Sequence, residues 1–96
     1  MPISKRWSKM HASNVREKVP VKSGIYELKN FGEMVYIGKA SNLQERLADH
    51  NRERDPNYFR FKTAGFLSSH HRMESKHIEK FENQNGRLPS WNQRRP

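Results

Sequence analysis

The chain has 96 residues, no cysteine, and 19 Lys and Arg against 10 Asp and Glu, a net charge of +9 and a pI of about 10.3. This length suits one small domain, and the absence of cysteine excludes disulfides and Cys-based zinc sites. No apolar run approaches the roughly 20 residues of a membrane helix, so we expect a cytoplasmic protein with no membrane partner. The excess of positive charge predicts a polyanionic partner, with nucleic acid as the main candidate.

The first 22 residues are polar and basic and end in a Val-Pro-Val run. We interpret residues 1–18 as a basic N-terminal arm or a short helix, which Pro20 would end because the residue before a proline disfavours helical dihedrals. Residues 19–92 are predicted to form the main domain, and residues 93–96 a basic tail.

Two paired strands are predicted next. Residues 23–29 alternate apolar and polar side chains, and residues 34–38 form a second strand-like segment. The turn residues 30–33 connect them, and so short a connection predicts an antiparallel hairpin.

Helix signals follow this hairpin. Asn42, with Glu45 three residues later, resembles a capping box and predicts the start of a helix. Residues 58–67 alternate again and predict a third strand, or a strand followed by a turn. Residues 70–83 carry an apolar helical stripe, which Gly86 terminates.

The expected core is small, because hydrophobic residues make up 32% of the chain and the mean hydropathy is −1.15. Its candidate members are apolar residues at the inward positions of these elements: Ile25, Leu28, Val35, Ile37, Leu43, Leu47, Phe61, Phe66, Leu67, Ile78 and Phe81.

Two glycine–tyrosine triplets lie on the paired strands. They are Gly24-Ile25-Tyr26 and Tyr36-Ile37-Gly38, with ten residues from the first tyrosine to the second. Both triplets match the signature of the GIY-YIG nuclease family, which the chain resembles over residues 19–92. The resemblance continues through the segment from Lys39 to Leu47, includes Glu74 on the second predicted helix, and ends at Pro89-Ser90-Trp91-Asn92.

The resemblance implies an α+β fold in which a small three-stranded antiparallel sheet is flanked by helices. It also implies a metal-dependent endonuclease that hydrolyses DNA phosphodiester bonds with Mg²⁺, for which Mn²⁺ should substitute. We expect one strand to be cut per active site, leaving 5′-phosphate and 3′-hydroxyl ends. Low sequence specificity is expected because the chain has no room for a separate recognition domain; single-stranded, branched and duplex DNA stay open as substrates.

The resemblance implies that Tyr26 is the general base and that Tyr36 positions the attacking water or the phosphate. A tyrosine hydroxyl has an ordinary pKa near 10, so it acts as a base only where cations favour the phenolate. The alternative is that both tyrosines only pack on the sheet.

Phosphate binding is assigned to the first predicted helix and the residues before it. Arg46 is expected to clamp the phosphate and stabilise the transition state, since a guanidinium suits phosphate. Lys39 is either a phosphate contact or an ordinary surface lysine. His50, one turn after Arg46, resembles a position where some family members carry a functional histidine, and it is expected to assist catalysis.

Glu74 is the predicted metal ligand, because Mg²⁺ prefers oxygen ligands and retains several waters. The alternative is that Glu74 forms an ordinary ion pair on the helix surface. Glu79 is a less favoured metal ligand, because it lies five residues later and faces a different side of the helix. His70 and His77 share a helical face with Glu74, a pattern that can also hold a transition metal, although ligands on one helix give poor tetrahedral geometry.

Asn92 matches the family's late asparagine, which helps to order the site and is assigned here to substrate binding. It lies eighteen residues after Glu74, farther than compact members suggest, so Asn85 is the fallback. Two alternatives for the whole chain are a non-catalytic basic nucleic-acid-binding module of the same fold, and RNA as the substrate.

Overall fold

The computed structural model describes residues 6–64, 70–86 and 89–93. The chain folds into an antiparallel sheet with helices packed against it. In chain order the elements are β1 (Ser8–Lys9), α1 (Ala12–Lys18), β2 (Gly24–Asn30), β3 (Glu33–Ala40), α2 (Leu43–Glu53), β4 (Tyr58–Thr63), α3 (His70–Asn85) and a 3₁₀ turn (Ser90–Gln93). The predicted α+β class is confirmed. No helix in the described ranges is long and apolar enough to cross a membrane.

The strand order is β1-β4-β2-β3, and all neighbours are antiparallel. The three predicted strands form the sheet, and the two-residue β1, which the sequence pattern did not indicate, extends it beside β4. The third strand ends at Thr63; the later part of the predicted segment, 65–69, lies outside the described residues.

A two-residue turn closes the β2–β3 hairpin, since Asn30 pairs with Glu33. Phe31 and Gly32 both have positive φ, 52° and 79°, which is the signature of a type I′ turn. The side chain of Asn57 accepts a hydrogen bond from the backbone N–H of Phe31 (2.8 Å) and so ties the turn to the segment before β4.

The main core lies between one face of the sheet and the helices α1 and α2. Tyr26 and Leu28 of β2 pack there with Leu43 and Leu47 of α2. Of the predicted core, the buried residues are Ile25, Leu28, Val35, Ile37, Leu43, Leu47 and Phe81; Phe61 and Ile78 are half-buried, and Phe66 and Leu67 lie outside the described residues. The N-terminal segment adds buried residues that were not in the predicted core: Met10, Val15 and Val19.

Helix α2 begins as the sequence predicts. The Asn42 side chain accepts a hydrogen bond from the backbone N–H of Glu45 (3.0 Å), which satisfies one of the unpaired donors of the first turn. Helix α3 runs two residues beyond the predicted end and stops before Gly86, whose φ is +74°.

The opposite face of the sheet carries a buried ion pair. Glu27 of β2 lies directly across from Arg60 of β4, and the Nε of Arg60 is 2.5 Å from a carboxylate oxygen of Glu27. The indole of Trp7 covers the guanidinium at 4.1 Å. Both charged side chains are almost wholly buried, so the pair is part of the interior of the fold.

Candidate active site

A glycine on β3 makes room for the two tyrosines of the hairpin. Tyr26 lies across from Gly38 and Tyr36 lies across from Leu28, so both phenol rings project from the same face of the sheet, with centroids 5.9 Å apart. A Cβ atom on Gly38 would lie 2.5 Å from the Cζ and hydroxyl oxygen of Tyr26 and 2.6 Å from Tyr36. The glycine is therefore required for this packing of the rings.

Helix α2 adds an imidazole to the pair of phenols. The ring centroid of His50 lies 5.3 Å from those of both Tyr26 and Tyr36, and its Nε2 is 2.7 Å from the Tyr26 hydroxyl. Tyr26 is 1% exposed and His50 is 7% exposed. The structure thus brings together three of the residues that the sequence proposed for catalysis.

Burial keeps this phenol–imidazole pair neutral. Desolvation raises the pKa of Tyr26 well above its ordinary value, Tyr36 adds to the increase, and the charge of Arg46 opposes it without overcoming it. Desolvation, and then the charges of Arg54 and Arg46, lower the pKa of His50 to about 4. A neutral imidazole beside a neutral phenol can accept the phenol's proton at Nε2 when its own hydrogen is on Nδ1.

Two arginines of the α2 segment act on the ring cluster, and the charge of Arg46 lowers the pKa of both Tyr26 and His50. Arg46 is exposed and lines a shallow pocket with the end of β3 and the start of α2. Arg54, which the sequence analysis missed, lies over the rings of Tyr36 (5.3 Å) and Trp91 (5.4 Å). Sequence spacing could have indicated Arg54, because Arg46, His50 and Arg54 follow one another at intervals of four residues and so share one side of the α2 segment.

Glu74 of α3 approaches the same region and forms an ion pair with Lys39 of β3 (3.3 Å). Its negative charge also contributes to the raised pKa of Tyr26, so the carboxylate is within electrostatic range of the phenol. Glu79 is exposed on the same helix. The histidine cluster at the start of α3 stays an untested alternative, because the side chain of His70 lies outside the described residues.

Asn92 fixes the edge of β3 at the residue between Tyr36 and Gly38. Its Oδ1 accepts a hydrogen bond from the backbone N–H of Ile37 (2.7 Å), and its Nδ2 donates one to the carbonyl of Ile37 (2.9 Å). Asn85 instead donates to a carbonyl of its own helix. Asn92 therefore holds the strand that carries Tyr36 and Gly38, whereas Asn85 bonds within its own helix; Asn92 as the family's late asparagine stays a prediction, and these contacts suit a positioning role.

Similar proteins were found by sequence and by structure. A family described as "Domain of unknown function (DUF7508)" matches residues 1–80. The curated relatives include the UvrABC system protein C of Fervidobacterium nodosum, 46% identical over 41 residues or 43% of this chain, and that of a Hydrogenobaculum species, 46% identical over 39 residues or 41% of this chain. The chain spans about 7% of the length of each relative.

Solved structures give the same fold. The GIY-YIG N-terminal endonuclease domain of UvrC from Thermotoga maritima, bound to magnesium as its catalytic divalent cation, superposes with a TM-score of 0.61 at 22% identity, covering 81% of this chain and 94% of that one. A point mutant of the same domain also gives a TM-score of 0.61, at 23% identity, covering 84% of this chain and 97% of that one. The chain therefore belongs to the DUF7508 family, and the resemblance to the GIY-YIG endonuclease family predicted from its two triplets is confirmed.

Proposed function

We propose that this protein is a metal-dependent DNA endonuclease. The observation that carries the proposal is the convergence of Tyr26, Tyr36 and His50 in one ring cluster, within electrostatic range of Arg46 and Glu74. Phosphodiester hydrolysis needs such a set: a group that takes a proton from water, a cation that stabilises the phosphorane-like transition state, and a carboxylate that binds a metal ion.

The cationic residues supply phosphate binding. Arg46 is exposed beside the ring cluster, where its guanidinium can bind a phosphate oxygen through two N–H groups. Lys39 follows the second triplet directly and presents its ammonium at the Glu74 carboxylate. Arg54 extends the positive charge along the same helical face and stacks on Tyr36.

The proton path starts at the attacking water. As the water oxygen bonds to phosphorus, the 3′ oxygen leaves with the electron pair of the broken P–O bond and takes a proton from solvent water, while the proton of the attacking water passes to the oxygen of Tyr26 and the phenol's own proton passes to Nε2 of His50. The 2.7 Å contact between these atoms supports this relay. In this relay the phenol never has to exist as a free phenolate, and the anionic phosphate bound beside His50 would raise the low pKa of the imidazole that takes the proton.

Glu74 is the residue that would hold the metal ion. Its partly buried carboxylate suits Mg²⁺, which prefers oxygen ligands, can bind through a single carboxylate and keeps several waters. Bound Mg²⁺ would supply Lewis-acid stabilisation of charge on the phosphate oxygens. The Glu74 carboxylate already pairs with the ammonium of Lys39. When the carboxylate binds the metal ion, this ammonium would become free to bind a phosphate of the substrate.

We further propose that each site cuts one strand and leaves 5′-phosphate and 3′-hydroxyl ends, with little preference for sequence. In the described part of the chain, one ring cluster and one carboxylate proposed to bind metal would serve a single phosphate, which supports nicking. Products should be substrates for a ligase without prior kinase treatment, and a supercoiled plasmid should become an open circle before it becomes linear.

A cleavage assay with matched variants tests the assignment. Labelled single-stranded, duplex and branched DNA are incubated with Mg²⁺ or Mn²⁺, and EDTA should abolish product formation. Glu74→Gln keeps the size of the side chain but loses the charge, so the cleavage rate should fall by at least about 100-fold. Glu79→Gln removes an exposed carboxylate from the same helix and should cut at the wild-type rate.

Two outcomes would overturn this proposal. Undiminished cleavage by Glu74→Gln would remove the metal site from this carboxylate. Tight, salt-sensitive DNA binding by the wild-type protein with no product in either metal would instead identify a binding module of the same fold.

A further inference from the structure

The tip of the β2–β3 hairpin carries an aromatic side chain that the proposed chemistry does not use. Phe31 is 90% exposed, the highest value among the large hydrophobic residues whose exposure the structure describes; Val21 follows at 65%. A chain with a net charge of +9 and so few apolar residues gains nothing in folding from a phenyl ring held in solvent.

The backbone at this position is also unfavourable for phenylalanine. Phe31 has a φ of +52°, a conformation that bulky residues rarely adopt, and it occupies the first central position of a type I′ turn. Asn-Gly is the preferred pair for this turn, and here the glycine is present while phenylalanine stands in the place of the asparagine. Local strain of this kind often accompanies a functional role.

The turn is held in place and does not swing freely. Asn57 accepts a hydrogen bond from the backbone N–H of Phe31, and both ends of the hairpin continue into paired strands. The ring is therefore presented on a fixed support, which limits the conformational entropy lost when it binds a partner.

We propose that Phe31 is a wedge that stacks on, or inserts between, the bases of bound DNA. Apolar side chains inserted at base steps are a common device of DNA-binding proteins, and every base offers an aromatic face. This inference rests on the proposed function, in which DNA is the substrate, and adds a contact between the hairpin tip and the DNA bases. The five residue-to-residue steps from Phe31 to Tyr36 span roughly 15 Å of strand, which places the wedge about four or five nucleotides from the cut phosphate at 3.4 Å per nucleotide.

The test uses a substitution with opposite effects on folding and binding. Phe31→Asn creates the preferred Asn-Gly turn, so the melting temperature should rise by about 5 °C, while affinity for a 20-base-pair duplex should fall about tenfold. Phe31→Trp keeps an aromatic ring and should bind at least as tightly as the wild type. Val21→Asn replaces a second exposed apolar side chain with asparagine and should leave the affinity unaltered.

Affinity is measured in EDTA by fluorescence anisotropy, so the result does not depend on whether the protein cuts. 2-Aminopurine placed at successive positions should brighten at one site, where the base is unstacked, and this signal should vanish in Phe31→Asn. Equal affinity of Phe31→Asn and wild type would overturn the inference even if cleavage is confirmed. A change of oligomeric state in Phe31→Asn, measured by sedimentation, would also overturn it by assigning the ring to a second copy of the chain.

Discussion

At the scale of single residues, the His50–Tyr26 contact predicts a pH dependence of stability. Burial lowers the pKa of His50 to about 4, so the unfolded chain binds a proton near pH 6.5 that the folded protein excludes. The free energy of unfolding should therefore be largest above pH 6.5 and should fall as the pH drops from 6.5 towards 4. The contribution of His50 at pH 4.5 is roughly 2–3 kcal/mol.

Urea unfolding at pH 7 and pH 4.5 measures this effect. Carboxylates also titrate in this range, so the comparison is with His50→Gln, which has no titrating ring. The wild type should lose more stability than this variant between the two pH values, and an equal loss would show that His50 is not held neutral by the fold.

Gly38 predicts a second effect at this scale. Gly38→Ala places a methyl group 2.5 Å from the Cζ and hydroxyl oxygen of Tyr26, so the ring must leave the position in which its hydroxyl contacts His50. We expect the cleavage rate to fall by about 100-fold, because displacing a reacting group by about 1 Å lowers the rate by that order. Gly32→Ala is a control for backbone strain, since its φ of +79° also disfavours alanine while the added Cβ atom contacts nothing. Gly32→Ala should lose stability and keep its activity per folded molecule.

The residues of the site differ in how far the sequence predicts them. The two triplets and their spacing were enough to indicate Tyr26 and Tyr36, because a matching motif fixes residue type and order together. The role of Gly38 follows only from the register, which sets it across from Tyr26. The stacking of Arg54 on Trp91 was not predictable, because it joins residues 37 positions apart that no local pattern relates.

At the scale of secondary structure elements, the cross-strand pair of Glu27 and Arg60 links β2 to β4. Removing one member of a buried ion pair takes away the opposite charge that offsets the desolvation of the other, at a cost of about 3–5 kcal/mol. Glu27→Ala should therefore destabilise the protein by that amount in urea unfolding. Replacing both with apolar residues of similar size, Glu27→Leu with Arg60→Met, should recover most of the loss, because no charge is then left buried.

A double substitution less stable than Glu27→Ala alone would contradict this account and would assign the stabilisation to the pair itself. Exposed pairs on helices provide the contrast. Loss of Asp49, which pairs with Arg52 on the surface of α2, should change the free energy of unfolding by less than about 1 kcal/mol.

The elements themselves were predicted better than their arrangement. Alternation and capping indicated β2, β3 and α2, since these signals lie within a few residues of one another. The insertion of β4 beside β2 was not indicated, because strand order depends on contacts between distant segments. The packing of α1 was missed for the same reason: Val15 and Val19 supply one buried stripe that is too short to stand out in a polar segment.

At the scale of the whole molecule, the charge of +9 predicts how DNA binding responds to salt. Each phosphate neutralised by a Lys or Arg side chain releases condensed counterions, so log K falls linearly with log salt at a slope of about −0.9 per contact. With roughly six contacts, affinity should drop about 1,000-fold between 50 and 200 mM salt. Binding to duplexes of unrelated sequence should differ only a few-fold at either salt concentration.

The slope also assigns individual contacts. If Lys39 reaches a phosphate, Lys39→Met should make the slope shallower by about 1 while weakening binding equally for all sequences. Lys80→Met removes an exposed lysine of α3 and should leave the slope unchanged if that part of the helix stands clear of the DNA. Both slopes are measured by anisotropy in EDTA at five salt concentrations. An affinity that hardly changes with salt would contradict binding through phosphates and would require that DNA be held mainly by contacts to its bases.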